Sequence, residues 1–261
     1  MVSKLGLNLH LSPSHPLGII RSLIENHFDT FTPAIPPSAV VTVKQNFDEL
    51  GFPKDHPGRA KSDSYYVNSE TVLRTHTSAH EIENFGKGLE RWLLSADVYR
   101  RDEIDRSHYP VFHQMEGASV WTPDNIASLP DLNAQLRTKI AQASSPLLVD
   151  DPTHPPCPKT NPSQPEHAEA TLNLMIDNLK LSLNSLLLTL FRTHTDQKGE
   201  PLQIRWTQTT FPWTAPSYEV EVFFEGEWLE VLGCGVVKQD TLQRSGPSLP
   251  PQAVRLDTGP D

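Results

Sequence analysis

The chain has 261 residues, a formal net charge of −10 and a pI near 5.5. This length can bury a substantial core, and the acidic balance argues against a broad phosphate-binding surface while allowing a local basic cleft. The two cysteines, Cys157 and Cys234, form no CxxC pair, so the sequence offers no disulfide framework or zinc knuckle and favours a reducing compartment.

The first third of the chain alternates helical and extended patterns. Residues 15–28 carry apolar side chains at helical spacing, with Pro16 in the first turn, which predicts a helix. The β-branched residues 38–44 predict a strand, and residues 77–90 predict a helix with Ser or Thr available as its N-cap. Two further strands, joined by a charged loop, are predicted at 92–100 and 110–121.

The composition changes after position 122. Nine prolines fall between 123 and 165, which predicts an irregular insert. Residues 166–191 restore helical periodicity, and residues 240–261 lack periodicity and resemble a disordered or aberrant tail. Three short strands are predicted at 202–206, 218–224 and 227–233, the last two joined by a tight turn at Glu225-Gly226. Helices that bracket adjacent strands predict an α+β domain on an antiparallel sheet.

The predicted strand 110–121 carries unusual side chains on one face. Alternation along a strand places Phe112, Gln114 and Glu116 together, so an aromatic ring, an amide and a carboxylate lie in a row. Arg100 stands at the end of the preceding strand. An arginine beside an aromatic ring suits a site that clamps a phosphate while a base stacks nearby. The alternative is an ordinary solvent face of an antiparallel strand.

The stretch VYRRDEIDRSHYPVFHQMEG (98–117) resembles motif 2 of the phenylalanyl-tRNA synthetases, which are class II ligases. Further stretches resemble the same family in the same order, and together they resemble its mitochondrial single-chain type. These stretches are PPSAVVTVKQNFDELGFPKDHPGR (36–59), THTSAHE (75–81), FPWTAPSYEVEV (211–222) and EWLEVLGCGVV (227–237).

The resemblance implies an ATP site. Arg100 is expected to bind the α-phosphate together with the amino-acid carboxylate, and so to be the catalytic residue. Asp102 is expected to read the adenine amino group, and His108 to lie by the outer phosphates. Phe112 is expected to stack on adenine, and Glu230 to lie near the ribose or the Mg²⁺ that accompanies ATP. No structural metal site is expected.

The resemblance also implies a phenylalanine pocket. Gln114 and Glu116 are expected to hold the α-ammonium group, and His76 and Ser78 to make further substrate contacts. Phe211 is expected to stack edge-to-face on the phenyl ring. Trp213 stands where many members of the family have a second phenylalanine, so its place in the pocket is less defined.

The family pattern breaks near the carboxyl end. Residues 1–239 are expected to form a partial catalytic domain, truncated before motif 3, with the anticodon-binding domain absent. Motif 3 would supply a sheet strand and a phosphate clamp, so an exposed strand edge is expected in its place. The function implied is phenylalanine–tRNA ligation, impaired by the truncation. The alternative is a non-catalytic, synthetase-derived protein that binds a ligand or a partner.

Other signals admit competing interpretations. His76 and His80 have a spacing that can bind zinc, but substrate contact by His76 beside a structural His80 fits better. Cys234 is expected to be a buried small residue rather than a nucleophile, and Glu219 and Glu221 to lie on a solvated strand face.

The expected cofactors are ATP and Mg²⁺, and the expected partners are phenylalanine and tRNA(Phe). The protein is expected to be monomeric and not bound to a membrane. The amino terminus lacks the hydrophobic core of a signal peptide. The resemblance implies the mitochondrial matrix, with a targeting segment upstream of this chain, and the cytoplasm is the alternative.

Overall fold

The fold is described from a computed structural model, which covers residues 2–101, 104, 109–153, 159–192, 199–246 and 253–258. It divides into two units. The first contains residues 1–117 and 240–249, and the second contains residues 118–239 and 250–261.

The described residues form α-helices that separate groups of one to three β-strands. The α-helices are α1 (Pro16–His27), α2 (Glu81–Gly86), α3 (Leu129–Ala141), α4 (Glu169–Leu190) and α5 (Gln239–Arg244). The strands are β1 (Thr32–Ala34), β2 (Val40–Thr42), β3 (Thr71–Leu73), β4 (Arg91–Tyr99), β5 (Val111–Val120), β6 (Leu147–Asp150), β7 (Leu202–Thr209), β8 (Thr214–Phe224), β9 (Glu227–Val237) and β10 (Ala253–Thr258). The predictions of α1, α4 and strands β2, β4, β5, β7, β8 and β9 are therefore confirmed, with boundaries that differ by a few residues.

The first unit places β4 between β1 and β5. β1 runs parallel to β4, with Thr32 opposite Trp92, and the separate pair β2 and β3 is antiparallel. Trp92 is fully buried and meets Phe85 of α2 edge-to-face, with ring centroids 5.5 Å apart. This apolar contact fixes α2 against β4, the strand that leads to Arg100.

The segment before α2 differs from the prediction. Residues Thr77–His80 form a 3-10 turn, and the N-cap of α2 is His80, which makes no side-chain capping bond. The expected Ser or Thr cap is therefore wrong. The hydroxyl groups of Thr77 and Ser78 bind Glu116 instead, so they are not available to satisfy the helix.

The second unit orders its strands β10-β9-β8-β7-β6. The pairs β10/β9, β9/β8 and β8/β7 are antiparallel, and β7/β6 is parallel. The predicted antiparallel sheet is confirmed for these strands, while β1 and β6 add parallel pairs. Glu225 and Gly226 both have positive φ, at 51° and 95°, as the predicted tight turn between β8 and β9 requires. Across the described part of the chain, no helix is both long and apolar enough to cross a bilayer.

The prediction that residues 123–165 are irregular is wrong for the residues that form α3 and β6. A proline lies at the start of α3, where its missing N–H costs no helical hydrogen bond. Pro146 and Pro152 lie just outside the two ends of β6, and α3 contains no proline after its first turn, so these prolines do not interrupt either element. Residues 154–158 lie outside the described part.

The prediction that residues 240–261 form a tail without regular structure is also wrong in part. Residues 239–244 form α5, and β10 pairs with β9, with Val254 opposite Val236 and Leu256 opposite Cys234. Residues 233–236 on this edge of β9 therefore have a partner strand, contrary to the exposed edge that we expected. Residues 247–252 and 259–261 lie outside the described part.

Candidate active site

The alternating face of β5 is buried rather than solvated. Gln114 and Glu116 are 2% and 1% exposed, and Phe112 is half-buried. The alternative interpretation of this face as an ordinary solvent face is therefore wrong for Gln114 and Glu116. A buried amide and carboxylate on neighbouring positions need polar partners, because burial without them is costly.

The partners of Gln114 and Glu116 come from the 3-10 turn that precedes α2. The backbone N–H of Thr77 donates to Gln114 Oε1 at 2.9 Å. The hydroxyl groups of Thr77 and Ser78 both donate to Glu116 Oε2, at 2.8 and 3.0 Å. Two O–H donors on one carboxylate oxygen stabilise its negative charge. The site thus holds a carboxylate and an oriented amide side by side.

Arg100 lies over the aromatic ring of the same face. Its guanidinium carbon is 5.2 Å from the centre of the Phe112 ring, and its Nε donates to the carbonyl oxygen of Thr75 at 3.1 Å. This contact holds the cation beside the ring face. The neighbouring Arg101 is exposed and donates to the carbonyl oxygen of Lys61. Only the first arginine of the pair therefore points to the candidate site.

His76 is buried at the edge of this turn. Its ring stacks on Phe52, with centroids 5.5 Å apart and planes 10° apart, and its Nε2 is 2.9 Å from the carbonyl oxygen of Asn46. The side chain of Asn46 forms two further hydrogen bonds with Thr75, one to its N–H and one to its hydroxyl. Asn46 therefore fixes the backbone that carries His76, a role that the sequence did not reveal.

His80 belongs to a structural network. Its Nε2 is 3.0 Å from Nη1 of Arg74, which also binds Asp97 through Nη2 at 2.6 Å. Burial, together with the nearby Arg74 charge, lowers the pKa of His80 to about 4, so its ring is neutral and accepts this hydrogen bond. Among the described residues, no group of three or more His, Cys, Asp or Glu side chains is placed to hold a metal ion.

In the second unit, Phe211 and Trp213 form an aromatic wall. Their rings stack with centroids 5.7 Å apart and planes 8° apart, and both side chains are almost fully buried. Gly233 of β9 makes room for this wall, because a Cβ at Gly233 would lie 2.7 Å from Cζ of Phe211. The wall therefore depends on a glycine at position 233, for which the sequence alone predicts no role.

Glu230 is exposed on β9, opposite Glu221 of β8 in the sheet register. Glu221 in turn accepts a 2.5 Å hydrogen bond from Nε of Arg205. Glu219 and Glu221 are both partly exposed, which confirms that their strand face is solvated. Two carboxylates thus face each other across the β8/β9 pair.

Cys234 lies on the opposite side of β9 from these carboxylates. It is 2% exposed and stands opposite Tyr218 in the register, so its expected burial is confirmed. Beneath the same part of the sheet, the ammonium group of Lys180 lies 4.5 Å from the Tyr218 ring centre and binds both carboxylate oxygens of Asp151. This face therefore contributes to the core.

The structure gathers the predicted residues within each unit. In the first unit, one cluster contains His76, Ser78, Arg100, Phe112, Gln114 and Glu116. In the second unit, Phe211 and Trp213 form the wall, and Glu230 stands on β9. Asp102 and His108 lie outside the described residues. Sequence reasoning missed Thr77, although it stands between two predicted site residues, because a threonine in a turn usually predicts a cap.

Comparisons with known proteins agree on one family. Residues 8–146 and 166–254 match the family described as tRNA synthetases class II core domain (F). The mitochondrial phenylalanine–tRNA ligase of Saccharomyces cerevisiae is 43% identical over 92% of this chain and 57% of its own length. The mitochondrial ligase of Rattus norvegicus is 38% identical over 94% of this chain and 50% of its own.

The fold agrees with that of a solved tRNA synthetase. The pyrrolysyl-tRNA synthetase of Desulfitobacterium hafniense superposes with a TM-score of 0.51 at 11% identity, covering 94% of this chain and 66% of that one. At this identity the likeness shows the fold alone. The chain spans about half the length of the curated relatives it matches.

Proposed function

Because the chain belongs to the class II phenylalanine–tRNA ligase family, we propose that it activates phenylalanine with ATP and transfers it to tRNA(Phe). The observation that carries this proposal is the buried pair Gln114 and Glu116, held by Thr77 and Ser78. A carboxylate whose charge is stabilised in this way matches the α-ammonium group of an amino acid.

In this proposal, Arg100 binds the amino-acid carboxylate and the α-phosphate of ATP. Both groups are negative, so their reaction needs a cation that offsets the repulsion and the negative charge that develops on the oxygen atoms of the α-phosphate. The contact between Arg100 and Phe112 brings such a cation beside a half-buried aromatic ring. Phe112 would then stack on adenine, with Asp102 reading the adenine amino group and His108 near the outer phosphates.

The phenyl side chain of the substrate would lie against Phe211 and Trp213. The two stacked rings offer an apolar wall, and an edge-to-face contact with the substrate ring adds about 1 kcal/mol beyond burial. His76 and Ser78 would complete the contacts to the amino acid. Selection for phenylalanine over other amino acids would follow from the fit of its ring to this wall.

Class II synthetases use ATP together with Mg²⁺, and the carboxylates of Glu221 and Glu230 are oxygen ligands of the kind that Mg²⁺ prefers. We propose that Glu230 would help to hold this Mg²⁺ or would lie beside the ribose of ATP. When bound, Mg²⁺ neutralises charge on the polyphosphate. The protein residues then only bind and orient the reactants, so no nucleophilic side chain is required.

The proposed partners are phenylalanine, ATP and tRNA(Phe), and the proposed state is a monomer that does not bind membranes. The similar ligases from Saccharomyces cerevisiae and Rattus norvegicus are mitochondrial. This similarity supports the mitochondrial matrix as the location of the present chain.

Phenylalanine-dependent exchange of pyrophosphate into ATP tests the proposal. Arg100→Ala should abolish exchange, because it removes the cation from the α-phosphate. Arg101→Ala is the matched control, since the adjacent arginine binds the Lys61 carbonyl instead, and it should retain exchange. Equal loss in both variants, or no loss in either, would contradict the assignment of Arg100.

A folded chain that binds phenylalanine and ATP but supports no exchange would instead favour the non-catalytic alternative. In that case the cluster of the first unit would serve recognition of ligands alone. Aminoacylation of tRNA(Phe), measured with labelled phenylalanine, separates activation from the complete reaction.

A further inference from the structure

Residues 147–165 lie outside the two ranges that match the synthetase family, yet some of them are buried against the strands that carry the aromatic wall. Asn161 is 3% exposed, although it lies in a segment without regular structure. Buried amide side chains away from helices and strands need specific partners. The partners of Asn161 and Gln164 are distant in sequence, which shows that this segment contributes to the tertiary structure of the second unit.

Asn161 binds both main-chain groups of one residue. Its Nδ2 donates to the carbonyl oxygen of Ser217 at 2.7 Å, and its Oδ1 accepts from the Ser217 N–H at 2.8 Å. The Ser217 hydroxyl in turn lies 2.7 Å from that of Thr214 and accepts from the N–H of Phe211 at 3.4 Å. Ser217 therefore connects Asn161 to both ends of the turn that carries Phe211 and Trp213.

Gln164 fixes the other side of the same turn. Its Nε2 donates to the carbonyl oxygens of Ala215 and Val237, at 2.9 and 3.1 Å, and its Oε1 accepts from the N–H of Gln239 at 2.8 Å. One amide thus joins the start of β8 to the end of β9. The turn 211–214 is held between these two amides, and Phe211 rests on Gly233 of β9.

We propose that Asn161 and Gln164 are positioning residues that set the phenylalanine pocket by holding the turn 211–214. This proposal rests on the function proposed above and extends it to a segment that the family match does not cover. Neither amide needs to touch the substrate. Their effect passes through Ser217, Ala215 and Val237 to the two stacked rings, whose placement decides how well a phenyl group fits.

The test uses isosteric variants of the full chain. Asn161→Asp places a carboxylate oxygen against the carbonyl oxygen of Ser217. Gln164→Glu places a carboxylate oxygen against the carbonyl oxygens of Ala215 and Val237. Each variant therefore lacks the N–H donors of the amide but keeps the size of the side chain. Thr160→Val is the matched control, because Thr160 is an exposed residue of the same segment whose hydroxyl donates to Oε1 of Gln208 on β7.

Calorimetric titration should show that both variants bind a non-hydrolysable phenylalanyl-adenylate about tenfold more weakly, the effect of roughly one hydrogen bond. Their affinity for ATP alone should stay within about twofold, and Thr160→Val should match the wild type. Variants that unfold cooperatively and bind the analogue as tightly as the wild type would overturn the proposal. A loss of ATP affinity equal to that for the analogue would also overturn it, since that result indicates general destabilisation.

Trp213 emission provides a readout that needs no ligand. The emission of Trp213 is obtained for each variant by subtracting the spectrum of the same variant that also carries Trp213→Phe. We expect the emission maximum of Trp213 to shift in Asn161→Asp and Gln164→Glu but not in Thr160→Val. If the wild type binds no analogue, the proposed function fails, and an unchanged Trp213 spectrum would then overturn the positioning role as well. If Asn161→Asp does not fold, the proposal is tested with Gln164→Glu alone, by its affinity for the analogue and by its Trp213 emission.

Discussion

The Thr77 hydroxyl donates a 2.8 Å hydrogen bond to Oε2 of Glu116, from a residue 39 positions earlier in the chain. This bond joins the 3-10 turn before α2 to the inward face of β5. Because the same residue also donates its N–H to Gln114, Thr77 orients both side chains proposed to bind the substrate ammonium group.

Thr77→Val tests this role, because valine keeps the shape and the backbone donor but lacks the hydroxyl. We expect the KM for phenylalanine to rise about tenfold, since a hydrogen bond to a charged acceptor contributes about 1.5–3 kcal/mol. The KM for ATP should change little. Thr138→Val, which removes an exposed hydroxyl bond to Ala134 in α3, is the control. Equal changes in both KM values would argue for a general disturbance of the fold.

Phe112→Leu should weaken ATP binding. The substitution removes the ring on which adenine is proposed to stack and the contact that holds Arg100, so we expect the Kd for ATP to rise roughly tenfold. Tyr109→Leu is the matched control, since Tyr109 is an exposed aromatic residue on the same hairpin. Nucleotide affinity can be measured by equilibrium dialysis, and an unchanged Kd in Phe112→Leu would remove Phe112 from the ATP site.

Alanine substitutions at two glycines of β9 should have different effects on ligand binding and on stability. The atoms nearest to a Cβ at Gly233 belong to the end of the Phe211 ring, which can move, so Gly233→Ala should impair phenylalanine binding more than stability. A Cβ at Gly235 would lie 2.4 Å from the carbonyl oxygen of Pro216, which cannot move easily, so Gly235→Ala should lower Tm by several degrees. Thermal unfolding of both variants checks this order, and the reverse order would contradict the proposed position of the wall.

His80 should make stability depend on pH. Its pKa of about 4 in the folded protein lies below the unfolded value of 6.5, so the unfolded chain binds a proton first as pH falls. The free energy of unfolding should therefore decrease as the pH falls from 6.5 to 4, and His80 should contribute to this decrease. Urea titrations across this range should show a smaller decrease for His80→Gln. A decrease of the same size in both proteins would mean that His80 does not contribute.

Local patterns predicted the parts of the fold where one rule dominates. Helical periodicity predicted α1 and α4, and strand alternation predicted that Phe112, Gln114 and Glu116 share a face. The same rules failed for α3, whose proline stands in the first turn, because composition alone does not distinguish a proline that starts a helix from one that breaks it. They failed for β10 as well, which is defined by its pairing with β9.

The polar contacts of the site were less accessible to sequence reasoning. The resemblance to motif 2 assigned Glu116, but the bond to Thr77 depends on the approach of a turn 39 residues away. Asn161 and Gln164 bind groups at least 51 residues distant and lie in a segment that the family match leaves out. Such contacts are determined by the tertiary fold and leave no local signal.

The most direct test of the account is calorimetric titration of the purified chain with a non-hydrolysable phenylalanyl-adenylate, with the tyrosyl analogue as the control ligand. We expect one phenylalanyl analogue to bind per chain, with a clear preference over the tyrosyl analogue, and we expect binding to be lost in Glu116→Gln. A cooperatively folded chain that binds neither analogue, or binds both equally well, would contradict it.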